Sequence, residues 1–115
     1  MTATDYRAAV IQGLRDLATF PEANPAVPIP RHDVTFLYFP TRGTDAEMIA
    51  EIDRIATLLG VTPDPSDTIY GHHKARLAFG PVGYEALAVL AARHAQHQAD
   101  TSYSGYVTPA AVDAA

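Results

Sequence analysis

Hydrophobic positions along the chain fall into stretches of differing period, and the middle of the sequence carries the clearest of them. Val34-Thr35-Phe36-Leu37-Tyr38-Phe39 is an almost unbroken run of β-branched and aromatic residues, the composition of a strand buried on both faces. Pro40 closes it, because proline has no N–H to give a sheet ladder. Thr44-Asp45-Ala46-Glu47 then has the form of a capping box. Met48, Ile52, Ile55 and Leu59 follow at intervals of four, three and four, flanked by Ile49 and Ala56, so one stripe of a helix is apolar. Gly60 suits a left-handed C-cap, and Pro63 and Pro65 oppose resumption of the helix.

Upstream, Tyr6, Val10, Leu14 and Leu17 form one stripe of a first helix capped by Thr4 or Asp5 and running to about Phe20. This helix is expected to cover a face of the sheet. Pro21, Pro25, Pro28 and Pro30 make 21–33 a stiff, Pro-rich connector. Pro25-Ala-Val-Pro28 has the PxxP form, but no basic residue stands close on its N-terminal side, so a spacer is the better reading. Val61–Thr68 is rich in turn formers. In the next segment His73, Ala75, Leu77 and Phe79 alternate with His72, Lys74, Arg76 and Ala78, which predicts a strand with one apolar and one basic face.

Two readings compete after the Gly80-Pro81 turn. By propensity, Val82–Gln98 suits a single helix. Alternatively, Val82–Leu90 is a strand paired with Tyr70–Phe79, followed by a short helix from Ala91 to about Asp100. The hairpin is preferred because a sheet of only two strands is marginal. The architecture expected is therefore an α/β (α+β layered) domain of order α-β-α-β-β-α. It has a three-stranded mixed sheet with helices packed on one face. The crossover from the first strand through the helix to Tyr70–Phe79 would be right-handed if those strands are parallel. Residues 1–115 are expected to form a single domain, with 101–115 a partly ordered tail in which Tyr103, Tyr106 and Val107 stand among Ser and Gly.

Composition narrows the function more than it defines it. Apolar residues make up 48% and charged ones 18% of the chain, which are values for a globular protein. There is no cysteine, so neither disulfides nor thiolate metal sites can form. The first residues lack a signal-peptide pattern, and no apolar stretch approaches membrane-spanning length. A cytoplasmic protein with no membrane association is expected. Thirteen acids against eight bases give a net charge of −5, and Lys74 is the only lysine. Binding to a duplex, which needs many cations against phosphates, is disfavoured; any nucleic-acid contact would fall to Arg42, Lys74 and Arg76.

Histidine is the one reagent of interest. His94 and His97 are spaced i, i+3 and share a helix face. His72 and His73 are strand neighbours and point to opposite faces, so only one of them could join a common site. His94, His97 and one of His72 or His73, completed by Glu85 or Asp100, are the candidate metal ligands. The spacing matches no recognised metal signature, and exposed histidines are the simpler reading. Arg42 in the loop before the middle helix invites an anion, but Asp45 and Glu47 in the first turn oppose it. His32 and Asp33 are adjacent just before a strand and are poorly placed to serve one acid–base site. No nucleophile motif, cofactor loop or carboxylate pair is present, and no cofactor is expected.

Phe79-Gly-Pro-Val-Gly-Tyr-Glu-Ala-Leu-Ala-Val, the opening Tyr6-Arg-Ala-Ala-Val-Ile-Gln-Gly-Leu-Arg-Asp-Leu-Ala, and Ser102-Tyr-Ser-Gly-Tyr-Val-Thr-Pro109 resemble small uncharacterised proteins of actinobacterial and actinophage genomes. The resemblance implies an accessory or mobile-element context and a hairpin at Phe79–Val89, with no activity, cofactor or site residue to carry over. The function expected is a small non-enzymatic accessory protein that binds another protein or itself through a sheet edge. A histidine-based metal-dependent enzyme and a nucleic-acid-binding protein are the alternatives.

Overall fold

The computed structural model describes residues 1–95. The chain forms two compact units, Met1–His32 and a second that begins at Asp33.

The first unit is built on helix α1, Ala3–Ala23. Its cap is Thr2, earlier than the Thr4 or Asp5 expected. The Thr2 hydroxyl accepts from the Asp5 N–H while the Asp5 carboxylate accepts from the Thr2 N–H. This box also holds the Asp5 carboxyl below its usual range. The helix passes its expected end at Phe20 and takes Pro21 into its last turn. Proline forgoes one intrahelical hydrogen bond there. The end is closed instead by Asn24, whose backbone and side-chain N–H groups both donate to the Phe20 carbonyl.

The second unit contains β1 (Val34–Tyr38), α2 (Asp45–Leu59), α3 (Pro65–Ile69), β2 (His72–Phe79) and β3 (Val82–Val89), with helical residues again at 91–95. It is an α+β arrangement of helices on a three-stranded mixed sheet, the class the sequence predicts, with α3 added to the predicted order. Strand order is β1-β3-β2, with β1 parallel and β2 antiparallel to β3. The β2–β3 hairpin forms as expected, turning at Gly80 with φ 64°, so the single helix over 82–98 does not arise. Strand β1 therefore runs antiparallel to β2 across β3, and the condition for a right-handed crossover between them is not met. Nor is Val61–Thr68 wholly irregular: Asp64 caps α3, accepting from the Ser66 N–H at 2.9 Å, and Pro65 opens that helix at its first position.

Helix α2 fulfils its pattern closely. Thr44 and Glu47 exchange the two capping hydrogen bonds, and Gly60 closes the helix at φ 74°. Met48, Ile52, Ile55 and Ala56 are buried, with Ile52 at 0% exposure. They pack on Ala75, Ala86, Ala88 and Leu90. The alanines form a shallow floor on β2 and β3, which lets the helix come close enough to seal its large side chains. Burying a side chain such as Ile52 contributes about 1.5–3 kcal/mol.

Strand β1 departs most from expectation. The sequence predicts a strand buried on both faces, but β1 lies at the sheet edge and all five of its residues are exposed. Helix α2 lies over β2 and β3, so its apolar stripe is spent on that pair and β1 stands beside the core. Among the described residues, no helix is long and apolar enough to cross a membrane.

Candidate functional site

The expected histidine cluster does not assemble among the described residues. His72 and His73 alternate on β2, so their rings lie on opposite faces of the sheet. His73 faces α2 and is 7% exposed. Its Nε2 is 2.7 Å from Asp53 Oδ1 on α2, and its Nδ1 is 2.6 Å from Thr68 Oγ1 on α3. A carboxylate can only accept, so Nε2–H donates to Asp53, and Nδ1 is hydrogen-bonded to the Thr68 hydroxyl, which can serve as either donor or acceptor. Both ring nitrogens are thus committed to fastening α2 and α3 onto β2. Glu85 stands on the opposite face, 3.7 Å from Arg76. His94 lies elsewhere, in a hollow of about 290 Å³ with Phe39, Met48 and Val89. His97 and Asp100 lie outside the described residues. No three His, Asp or Glu side chains group as metal ligands among those described.

The loop between β1 and α2 is also occupied by its own contacts. The Glu47 carboxylate accepts from the Thr44 N–H and the Thr44 hydroxyl accepts from the Glu47 N–H, and Thr44 holds the Glu47 carboxyl below its usual range. Arg42 donates to the Val89 carbonyl, and Asp45 accepts from the Ala91 N–H at 2.7 Å. The loop therefore clasps the end of β3, and the Glu47 carboxylate at the helix terminus opposes an anion there. The remaining cations of the nucleic-acid alternative are engaged as well. Lys74 is 3.9 Å from Asp67, and Arg76 reaches across the central strand to donate to Thr35 Oγ1 at 2.9 Å. Glycine at 83 makes that crossing feasible, since a Cβ there would sit 2.5 Å from the Arg76 guanidinium.

Among the described residues of the second unit, the outer edge of β1 has no strand beside it. The Val34 N–H donates to the Pro81 carbonyl, which fixes the alternation along the strand. Val34, Phe36 and Tyr38 turn their backbone groups toward β3, and Thr35 and Leu37 turn theirs outward. Val34, Phe36, Leu37, Tyr38 and Phe39 are each between 39% and 56% exposed, and Phe36 leans on Tyr84 with ring centroids 5.9 Å apart. Natural edge strands are normally blunted by charge, proline, bulges or a covering element. The β2 edge meets that rule, with Lys74 and Arg76 on the strand and α3 packed beside it. The run from Val34 to Tyr38 has neither charge nor proline, and no other element of the second unit among the described residues packs on its outer edge.

Two features escaped the sequence. Asp53 and Thr68 gave no sign of meeting His73, although His73 already stood among the apolar alternates of β2. The openness of β1 was hidden because an edge strand with apolar residues on both faces has the same composition as a central one. The chain matches no known family model, no curated protein and no solved structure.

Proposed function

We propose that this protein is a small non-enzymatic binding module that takes a further β-strand at its β1 edge. The observation that carries the reading is the unblunted row of outward backbone groups at Thr35 and Leu37 on a strand of exposed apolar residues. Such an edge offers main-chain hydrogen bonds for affinity and alternating side chains for selection. The engagement of His73, Arg42, Lys74 and Arg76 within the fold favours binding over histidine chemistry or phosphate contact. An accessory role of this kind also suits the likeness to small actinobacterial and actinophage proteins.

Selection of a displayed library of extended peptides on the full chain tests the reading. Enriched peptides with alternating apolar residues should bind the native chain at least tenfold more tightly than Leu37→Pro, which removes one outward N–H while leaving the β1–β3 ladder intact. Enriched peptides that bind both proteins equally would overturn it, as would a selection with no enrichment from a chain that is also monomeric.

A further inference from the structure

We infer that the strand completing the β1 edge is β1 of a second copy of this chain, running antiparallel across a two-fold axis that passes beside Phe36. The inference rests on the strand-addition reading and names its partner. Two three-stranded sheets then become one of six, with the blunted β2 edges at its ends.

The register follows from backbone parity. Only odd-numbered residues of β1 face outward, so an antiparallel copy must set odd residues opposite odd ones. Centring the axis on Phe36 does this and aligns the whole strand with itself. Thr35 falls opposite Leu37 of the second copy as a hydrogen-bonded pair. Val34 falls opposite Tyr38, and Phe36 opposite its own counterpart in a non-hydrogen-bonded pair, where side chains approach most closely. Phe36 with its counterpart is an aromatic pair and Val34 with Tyr38 a β-branched–aromatic one, both favourable cross-strand combinations, while Thr35 with Leu37 supplies the hydrogen bonds. Shifting the axis to Leu37 would set Val34 against Pro40 and leave fewer strand residues paired.

Electrostatics also allow a second copy. The chain carries a net charge of −5, which opposes self-association over most of its surface. Yet Val34–Thr41 is an unbroken uncharged run bounded by Asp33 and Arg42. Two copies meeting along this strip bring no like charges face to face. The β2 edge, with Lys74 and Arg76 near its middle, would do so.

Light scattering on the eluting full chain should give twice the chain mass for the native protein and the single mass for Leu37→Pro with its circular dichroism unchanged. Because the chain has no cysteine, single substitutions report the register directly. Phe36→Cys should cross-link to a disulfide dimer under mild oxidation, since the paired Cα atoms lie within bridging range, whereas Leu37→Cys should not, its counterparts being beyond ~7 Å. Should Leu37→Pro fail to fold, the cysteine pair still decides. A native chain that stays monomeric at millimolar concentration overturns self-pairing. If peptides are nevertheless enriched at the edge, strand addition survives without it; if none are, both fail. A dimer that Leu37→Pro leaves intact, or one that cross-links only through Leu37→Cys, overturns the Phe36-centred pairing.

Discussion

The imidazole of His73 lies 2.7 Å from the Asp53 carboxylate through Nε2, and this bond ties the middle of α2 to the second residue of β2. Its other nitrogen reaches Thr68, so one ring joins three elements. Replacing His73 by Ala removes the fastener and leaves Thr68 and Asp53 without it. A loss of about 2–3 kcal/mol is expected, typical of breaking a buried polar link. Asp53→Ala should cost a comparable amount, about 1–3 kcal/mol, because it leaves the buried His73 Nε2–H without an acceptor. Urea titrations followed by circular dichroism would show both as lower midpoints with unchanged slopes.

Ile52 is wholly buried where α2 meets the alanine floor. Ile52→Ala should destabilise by about 3–4 kcal/mol and Ile52→Val by about 1 kcal/mol, the usual scale for transfer loss plus a residual cavity. A cost below about 1 kcal/mol for Ile52→Ala would mean that the site collapses freely, in conflict with a rigid alanine floor.

Gly60 and Gly71 both hold positive φ, at 74° and 88°, but their surroundings differ. A Cβ on Gly60 meets nothing within 4 Å, whereas one on Gly71 would lie 2.5 Å from Arg93 Cβ. Gly60→Ala should therefore cost only the left-handed backbone term, about 1–2 kcal/mol. Gly71→Ala should cost more, since it must also displace the turn at Arg93. Thermal melts of the two variants side by side give the comparison.

Acid sensitivity should carry a contribution from the α2 cap. The Thr44 N–H and hydroxyl hold the Glu47 carboxyl below its ordinary value of 4.5, so the folded chain binds that proton less readily than the unfolded one. The stabilisation is complete above pH 4.5 and is lost as pH falls through the lower folded value. Glu47→Gln can still accept the Thr44 N–H but does not titrate. The native chain should exceed the variant in urea midpoint near pH 6, and the gap should close as the pH is lowered from 4.5. A gap that stays constant down to pH 3 would remove Glu47 from the acid response.

Much of the second unit was legible because its signals are local. Thr44, Glu47, the Met48–Leu59 stripe and Gly60 each act within a turn or two of helix, and β2 shows its faces through strict alternation. The Glu85–Leu90 run was ambiguous because alanine and leucine favour helix in isolation. Ala86 and Ala88 are alanines for a tertiary reason, as the surface on which α2 rests. Helix α3 could have been found from Asp64-Pro65, a capping residue followed by a first-position proline. The placement of β1 could not, because which strand pairs with which depends on the whole sheet. The Asp53–His73–Thr68 link joins residues 20 and five positions apart in sequence, and no short pattern announces it.

The central strand of the sheet is the last of the three to be synthesised. As the chain leaves the ribosome, β1 emerges greasy and solitary, and the partner that will hold it arrives only after α2, α3 and β2 have been made. The β2–β3 hairpin can close as soon as it is complete, whereas β1 must then find its groove over a long intervening loop. Nascent chains on one messenger would expose this waiting segment to their neighbours, so assembly and misassembly compete for the same few residues during translation.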